Sequence, residues 1–462
     1  MAHDLITAKA GGDPLADAPG AMRFDEITRM NPARTAIVVS APGKRCDDDF
    51  KVTDMLIAWV TPFDDPAASI VVRKIHQCFE NPLRILAAIR DRFEIIATAL
   101  DVDLDIGDIF REIHEKCSSL RARGNHRHLR CFAESRGEYV QGRITALKRG
   151  FTFVDPATFI TFNEDGSYNE ELTRMRAEQI GLSRLAREGI VVPGFYGSTM
   201  DGRIVTFDRG GSDRTMSIVG ALTESVICEN WKIVPGILAA DPKVVHEPHM
   251  IDELTYRVGR ELTFMGNPVL QKDAIRPAWL AGIPIHVRGV TAPEQEGTWI
   301  RTELTRKPVH SVTGIASRTG MSIVTLYQYG MDDIIGSNAR TAGIFADAGV
   351  SVNPGPGIDS LSYAVETSAF IPQEDRIRAQ LARMGIEEVT VDHDIAIICT
   401  AGDGLLYEIG ASARNDRALA LAGSNIEWEG QSASRSTNIL RGVPAIGHQR
   451  GVRAIYNEFF SR

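Results

Sequence analysis

Cysteine is scarce in this chain, with six in 462 residues (Cys46, Cys78, Cys117, Cys131, Cys228 and Cys399) and no CxxC pair. That spacing excludes a disulfide frame and a zinc ribbon, and reads as reduced thiols in a cytoplasmic protein. Long apolar runs are missing too. No stretch approaches the roughly 20 residues needed to cross a bilayer, and the opening MAHDLITAKAGGDPLADAPG lacks the cationic-then-apolar order of a signal peptide. Positive charge is in deficit, Lys and Arg numbering 51 against 60 Asp and Glu, for a net charge of −9. That argues against nucleic acid held by a general basic field, while leaving room for a local phosphate pocket. Membrane, nucleic acid and secretion are therefore not expected.

What is present is an ordinary globular balance, 44% hydrophobic and 24% charged, long enough for roughly three domains. Apolar strand-like runs at 5–8 and 35–44 each break into glycine. Residues 66 to about 148 place apolar residues three and four apart and predict helices. Strand-like runs return at ATFITF (157–162), GIVVPGFYG (189–197), GRIVTF (202–207), 226–237 and GIPIHVRG (282–289). Helices are predicted from about Thr215 and over 254–266. This alternation predicts an α/β layered domain with a mainly parallel sheet, ending near residue 300. TAPEQEGTW (291–299) reads as a linker. Beyond it, 322–355 and 394–430 share one order of strand, glycine turn, Ala-rich helix and strand. This is an internal repeat of small units that must pack on each other or on another subunit.

Four strings could carry chemistry. In Arg209-Gly210-Gly211-Ser212-Asp213 a strand delivers two glycines and two opposite charges to a helix start. Such a turn suits an anion and a zwitterion, or it is a glycine turn with Asp213 as N-cap. Lys9-Ala10-Gly11-Gly12 suits a phosphate or is a surface turn. Ser40-Ala41-Pro42-Gly43-Lys44 is followed by Thr53-Asp54. Ser135-Arg136-Gly137-Glu138 is read at a helix start, where Glu138 either faces a ligand ammonium or complements the helix dipole. The acidic run Asp47–Asp49 reads as a solvated loop tip, and HEPH (246–249) as solvated loop.

In this order, and over nearly the whole chain, the strings resemble the aspartate kinases of the amino-acid kinase superfamily. The family's K-F-G-G-T-S stands here as Lys9 to Pro14, its V-V-S-A as Val38 to Ala41, and its S-x-G-E as Ser135 to Glu138. Its G-F-x-G and R-G-G-S-D-x-T stand as Gly194 to Gly197 and Arg209 to Thr215. Its W-T-D-V-x-G and A-D-P-R stand as Trp231 to Gly236 and Ala240 to Lys243. The resemblance implies a three-layer kinase domain over 1–300. It implies two ferredoxin-like ACT units over 308–380 and 385–462, one possibly inserted into the other. It also implies transfer of the ATP γ-phosphoryl group to the β-carboxylate of L-aspartate, with Mg²⁺ on the ATP.

By the same resemblance Lys9 and Asp213 are catalytic, and Ser40, Thr53, Glu138, Arg209 and Asp213 hold aspartate. Lys9, Gly11, Gly12, Gly210, Gly211, Ser212, Trp231, Lys232, Ile233 and Lys243 border the nucleotide. A homodimer or higher homo-oligomer, with lysine or threonine as effector, completes the expectation. The chain departs from the pattern at Asp13-Pro14, Lys232-Ile233, Lys243, Val258-Gly259, Gln271-Lys272, the proline-rich 353–362 and Arg435. The alternatives are a paralogue acting on an aspartate analogue and a non-catalytic amino-acid-binding regulatory homologue.

Overall fold

The computed structural model describes residues 4–208, 210–266, 274–430 and 437–461. In chain order the elements begin β1 (Ile6–Ala10), α1 (Ala18–Arg29), β2 (Ala36–Val39), α2 (Val52–Val60), α3 (Ile70–Phe79), α4 (Pro82–Ala99), α5 (Ile106–Ala122) and α6 (His126–Arg149). There follow β3 (Thr152–Phe153), β4 (Thr161–Phe162), β5 (Tyr168–Asn169), α7 (Glu170–Gln179), α8 (Leu182–Glu188), β6 (Ile190–Pro193), β7 (Tyr196–Ser198), β8 (Ile204–Thr206), α9 (Gly211–Leu222) and β9 (Ile227–Lys232). Next come β10 (Glu253–Thr255), α10 (Tyr256–Phe264), α11 (Arg276–Leu280), β11 (Ile285–Gly289) and β12 (Thr298–Arg301). The remainder is β13 (Gly314–Tyr327), α12 (Ser337–Asp347), β14 (Val352–Pro356), β15 (Ser360–Glu366), α13 (Thr367–Phe370), α14 (Glu374–Met384), β16 (Glu388–Ala401), α15 (Ala411–Leu421), β17 (Trp428–Gly430), β18 (Asn438–Pro444) and α16 (His448–Phe460).

The chain divides into two compact units, Met1–Ile237 with Leu270–Thr302, and Leu238–Val269 with Glu303–Arg462. In the first unit the main sheet runs β12-β11-β9-β1-β2-β6-β3. Every pairing in it is parallel except β11 with β12. Its central strands are buried on both faces, β1 and β2 at every position, as a sheet covered by helices on both sides requires. A small second sheet, β5-β4-β7-β8, is mostly antiparallel. One core joins α1–α6 to one face of the main sheet. Another packs α7–α9 on the other.

Several expectations are corrected here. The helix of the Arg-Gly-Gly string begins at Gly211, not near Thr215, because Gly210 takes the left-handed conformation (φ 81°) that starts it. Asp213 is therefore in the first turn and not the N-cap. Ser135 to Glu138 lie in the middle of α6, whose start is capped by the Asn125 side chain accepting from the His128 N–H. The helix dipole thus gives no account of Glu138. The run 157–162 is interrupted by a 3-10 turn at Pro156–Thr158 and keeps only two strand residues. TAPEQEGTW ends inside β12 rather than in a linker.

In the second unit a single antiparallel sheet runs β14-β15-β13-β16-β18-β17. β13 and β16, 14 residues each, pass through the whole of it. Residues 321–327 of β13 pair with β15 and with the first part of β16. Residues 314–318 pair with 397–401 of β16, which also carries β18. Each half of the sheet thus has four strands in the ferredoxin-like order, and its own core. The second half takes its fourth strand from residues 314–318, upstream of the whole first half. Pro354 and Pro356, which cannot donate to a ladder, fall on the edge strand β14. No helix of the described residues is long and apolar enough to cross a membrane.

Candidate active site

Parallel strands present their carboxyl ends together, and ligands of such sheets gather there. Three adjacent strands of the first unit, β9, β1 and β2, end at Lys232, Lys9-Ala10 and Val39-Ser40. Lys9 pairs in register with Asn230 and Val38. Beside them lies the N-terminus of α9, whose partial positive charge favours an anion.

Asp213, in the first turn of α9, is the hub. Its Oδ1 accepts from Lys9 Nζ at 2.5 Å and from Asn230 Nδ2 at 3.2 Å, and its Oδ2 accepts from Lys232 Nζ at 3.1 Å. Burial opposes its ionisation, but Lys232 and Lys9 prevail and hold its carboxyl down at about 2. Burial likewise pulls the Lys9 ammonium down to about 8, against the attraction of Asp213. Two ammonium groups against one carboxylate leave the cluster with a surplus positive charge when all are ionised.

Glu138 is a different kind of carboxyl. It is 4% exposed, and among the described residues no cation is bonded to it and its Oε2 has no hydrogen-bond partner. Burial pushes it up to about 8, although the Ala41 backbone N–H bonds to it and favours the charged form. Gly137 explains how α6 reaches Ala41. A Cβ there would lie 2.6 Å from Ala41 Cβ and 3.2 Å from Val52 Cγ1. Ser40 is buried, and Thr53 sits half-buried in the first turn of α2.

The glycine turn is tightly bonded. The Gly11 N–H donates to the Trp231 carbonyl at 3.1 Å, so it is committed to the sheet. The Gly12 carbonyl accepts from Gly43 N–H at 2.7 Å, and a Cβ on Gly12 would stand 2.8 Å from the Ala41 oxygen. Asp13 is exposed, and Pro14 is buried in the 3-10 turn. Gly211 and Ser212 are buried under Phe195 and Gly194, where a Cβ would meet Phe207 and Ser212 at 2.6 Å. Phe195 holds a left-handed φ of 82°, its N–H donating to Thr215 Oγ1. Such strain persists only where the surroundings enforce it.

Trp231 points away from this cluster. It is 1% exposed, bonds Glu229 through Nε1, and lies between the guanidinium groups of Arg34 and Arg288. Ile233 is exposed just past the end of β9. Lys243 belongs to the second unit, where it is exposed and its N–H donates to Asp241 Oδ1. Arg209, Gln271-Lys272 and Arg435 lie outside the described residues. The sequence reading passed over Asn230, whose signal was a lone amide in the buried strand ICENWK. It also passed over Asp49, which is no solvated tip. Its carboxylate accepts from the Arg45 N–H, Nε and Nη2 and lies 3.4 Å from Arg92.

Residues 143–289 match the model of the amino acid kinase family. Aspartokinase 3 of Bacillus subtilis (strain 168) is 30% identical to this chain over 473 residues, spanning 99% of each. The aspartate kinase structure of Clostridium acetobutylicum is 29% identical, with a TM-score of 0.81 over 98% of this chain and all of that one. The Escherichia coli aspartokinase III complex with aspartate and ADP, 22% identical, has the same fold, with a TM-score of 0.79 over 98% of this chain and 99% of that one. Matched along its whole length by a relative of this identity, the chain belongs to the aspartokinase family.

Proposed function

We propose that the protein is an aspartate kinase, moving the γ-phosphoryl group of ATP to the β-carboxylate of L-aspartate to give 4-phospho-L-aspartate. The observation that carries this reading is the Lys9–Asp213–Lys232 cluster at the ends of adjacent parallel strands, facing a helix N-terminus. Phosphoryl transfer asks a protein chiefly for position and for positive charge around the moving group. Lys9 supplies that charge, and Lys232 adds a second ammonium. Asp213 holds both in place.

The backbone of Gly12, Gly210, Gly211 and Ser212 lines the phosphate side. Ile233 offers the nucleotide an apolar edge. Mg²⁺ enters on its substrate, as Mg-ATP. Among the described residues no group of three or more His, Cys, Asp or Glu is placed to hold an ion of its own.

Ser40, Thr53, Glu138 and Arg209 take the amino acid. Among the described residues Glu138 is buried with no cation bonded to it, so a substrate ammonium is the partner that would ionise it. Arg209 pairs with a carboxylate, for which its planar fork is suited. The second unit is the regulatory part, with lysine or threonine as its effector, in a cytoplasmic homodimer or higher homo-oligomer. The test is ADP release from Mg-ATP with L-aspartate, trapping the acyl phosphate with hydroxylamine. Turnover that depends on aspartate and disappears in Lys9→Ala supports the reading. Turnover only with an aspartate analogue moves the substrate, and none with any amino acid overturns catalysis.

A further inference from the structure

Arg92, on α4, is 5% exposed, and its guanidinium is spent on backbone carbonyls. Nε and Nη2 donate to the Ala16 carbonyl at 3.0 and 2.7 Å. Nη1 donates to the Phe50 carbonyl at 3.1 Å, and Nη2 also to the Gly43 carbonyl. Asp49 supplies the countercharge at 3.4 Å and is itself held by Arg45.

These carbonyls belong to the two loops that build the candidate site. Ala16 closes the 3-10 turn Asp13–Leu15 that follows Gly11-Gly12. Gly43 follows Ser40 and donates its N–H to the Gly12 carbonyl. Phe50 precedes Lys51, the N-cap of α2, whose first turn carries Thr53. The loop after β1 is the phosphate side, and the loop after β2 is the amino-acid side. A single side chain therefore fixes the spacing between them. Lysine could not reproduce this, because its three N–H groups sit on a single nitrogen where arginine spreads five over a planar fork.

We infer that Arg92 is a positioning residue, clamping the loop after β1 to the loop after β2 so that phosphoryl donor and acceptor meet in line. The inference rests on the kinase reading for its functional meaning, but the clamp itself is testable without substrate. In Arg92→Lys, hydrogen exchange of the free protein should quicken at residues 11–17 and 40–53 while the amides of β1, β2 and α6 keep their protection. The kcat of the folded enzyme, taken well below its melting midpoint, should fall on the order of 100-fold, the scale of a roughly 1 Å misplacement.

Should Arg92→Lys fail to fold, Asp49→Asn leaves the guanidinium in place and removes its countercharge. It should quicken exchange in the same two loops and lower kcat several-fold. A variant that melts earlier yet keeps wild-type kcat and wild-type protection in both loops overturns the inference. The expected exchange pattern in Arg92→Lys, together with a wild-type protein that turns over no aspartate, supports the clamp and overturns the kinase reading instead.

Discussion

Lys9 Nζ stands 2.5 Å from Asp213 Oδ1, joining the end of the first strand to the first turn of a helix 204 residues away. Both side chains are almost wholly buried, at 3% and 5% exposure. Removing one partner of such a pair leaves a charge without compensation, which costs about 3–5 kcal/mol. Asp213→Asn should therefore lower the unfolding free energy by about that amount in denaturant titration. Lys9→Met should lower kcat at saturating Mg-ATP by about 10²–10³-fold, the scale of one lost charge-stabilising donor.

The pH profile follows from two groups of the free enzyme. Glu138, raised to about 8, is neutral below that pH and cannot hold an ammonium. Lys9, lowered to about 8, loses its charge above it. The kcat/KM for aspartate should thus rise toward a maximum near pH 8 and fall beyond it. Glu138→Gln should abolish the rising limb and lower kcat/KM throughout, which steady-state kinetics across pH 6–10 would show.

The same carboxyl links stability to pH. From its ordinary value of 4.5 up to about 8, the folded protein keeps a proton on Glu138 that the unfolded chain releases. Stability must fall as pH rises through that window, by up to about 1.4 kcal/mol per pH unit. Urea titrations of Glu138→Gln should give a flatter dependence over the same range.

Gly137→Ala tests the packing that brings Glu138 to Ala41. The new methyl would lie 2.6 Å from Ala41 Cβ, which has no rotamer to change. Overpacking of this kind costs about 1–3 kcal/mol, more than the roughly 1 kcal/mol that helix propensity returns. The variant should melt earlier and bind aspartate more weakly in calorimetric titration.

Truncation tests the shared strands of the second unit. Residues 385–462 alone lack 314–318 of β13, the ladder partner of 397–401. Circular dichroism melting should show no cooperative transition for that fragment.

Much of this was legible in the sequence, and the misses have physical causes. The parallel sheet could be read because β2 and β6 are unbroken apolar runs. The ends of helices were harder. Gly210 and Gly211 look alike as letters, yet only Gly210 has the positive φ that starts α9. Glu138 seemed to open a helix because Ser135 and Gly137 imitate cap residues, whereas Gly137 serves the close approach of α6 to the loop after β2 and to α2. Arg92 was invisible because its partners are carbonyls from two distant loops, and carbonyls leave no mark in a sequence.

The repeat was read as units over 308–380 and 385–462, one possibly inserted into the other, and β13 and β16 run through both halves of the sheet. Strand pairing has a side-chain period of two, so a slip of one residue in either half would turn that half's side chains to the opposite face. The ladder irregularities between Arg318 and Ile323 are where such a mismatch can be absorbed. The two repeats therefore behave less like beads on a thread than like two ends of one plank, and a twist imposed on one end is felt at the other.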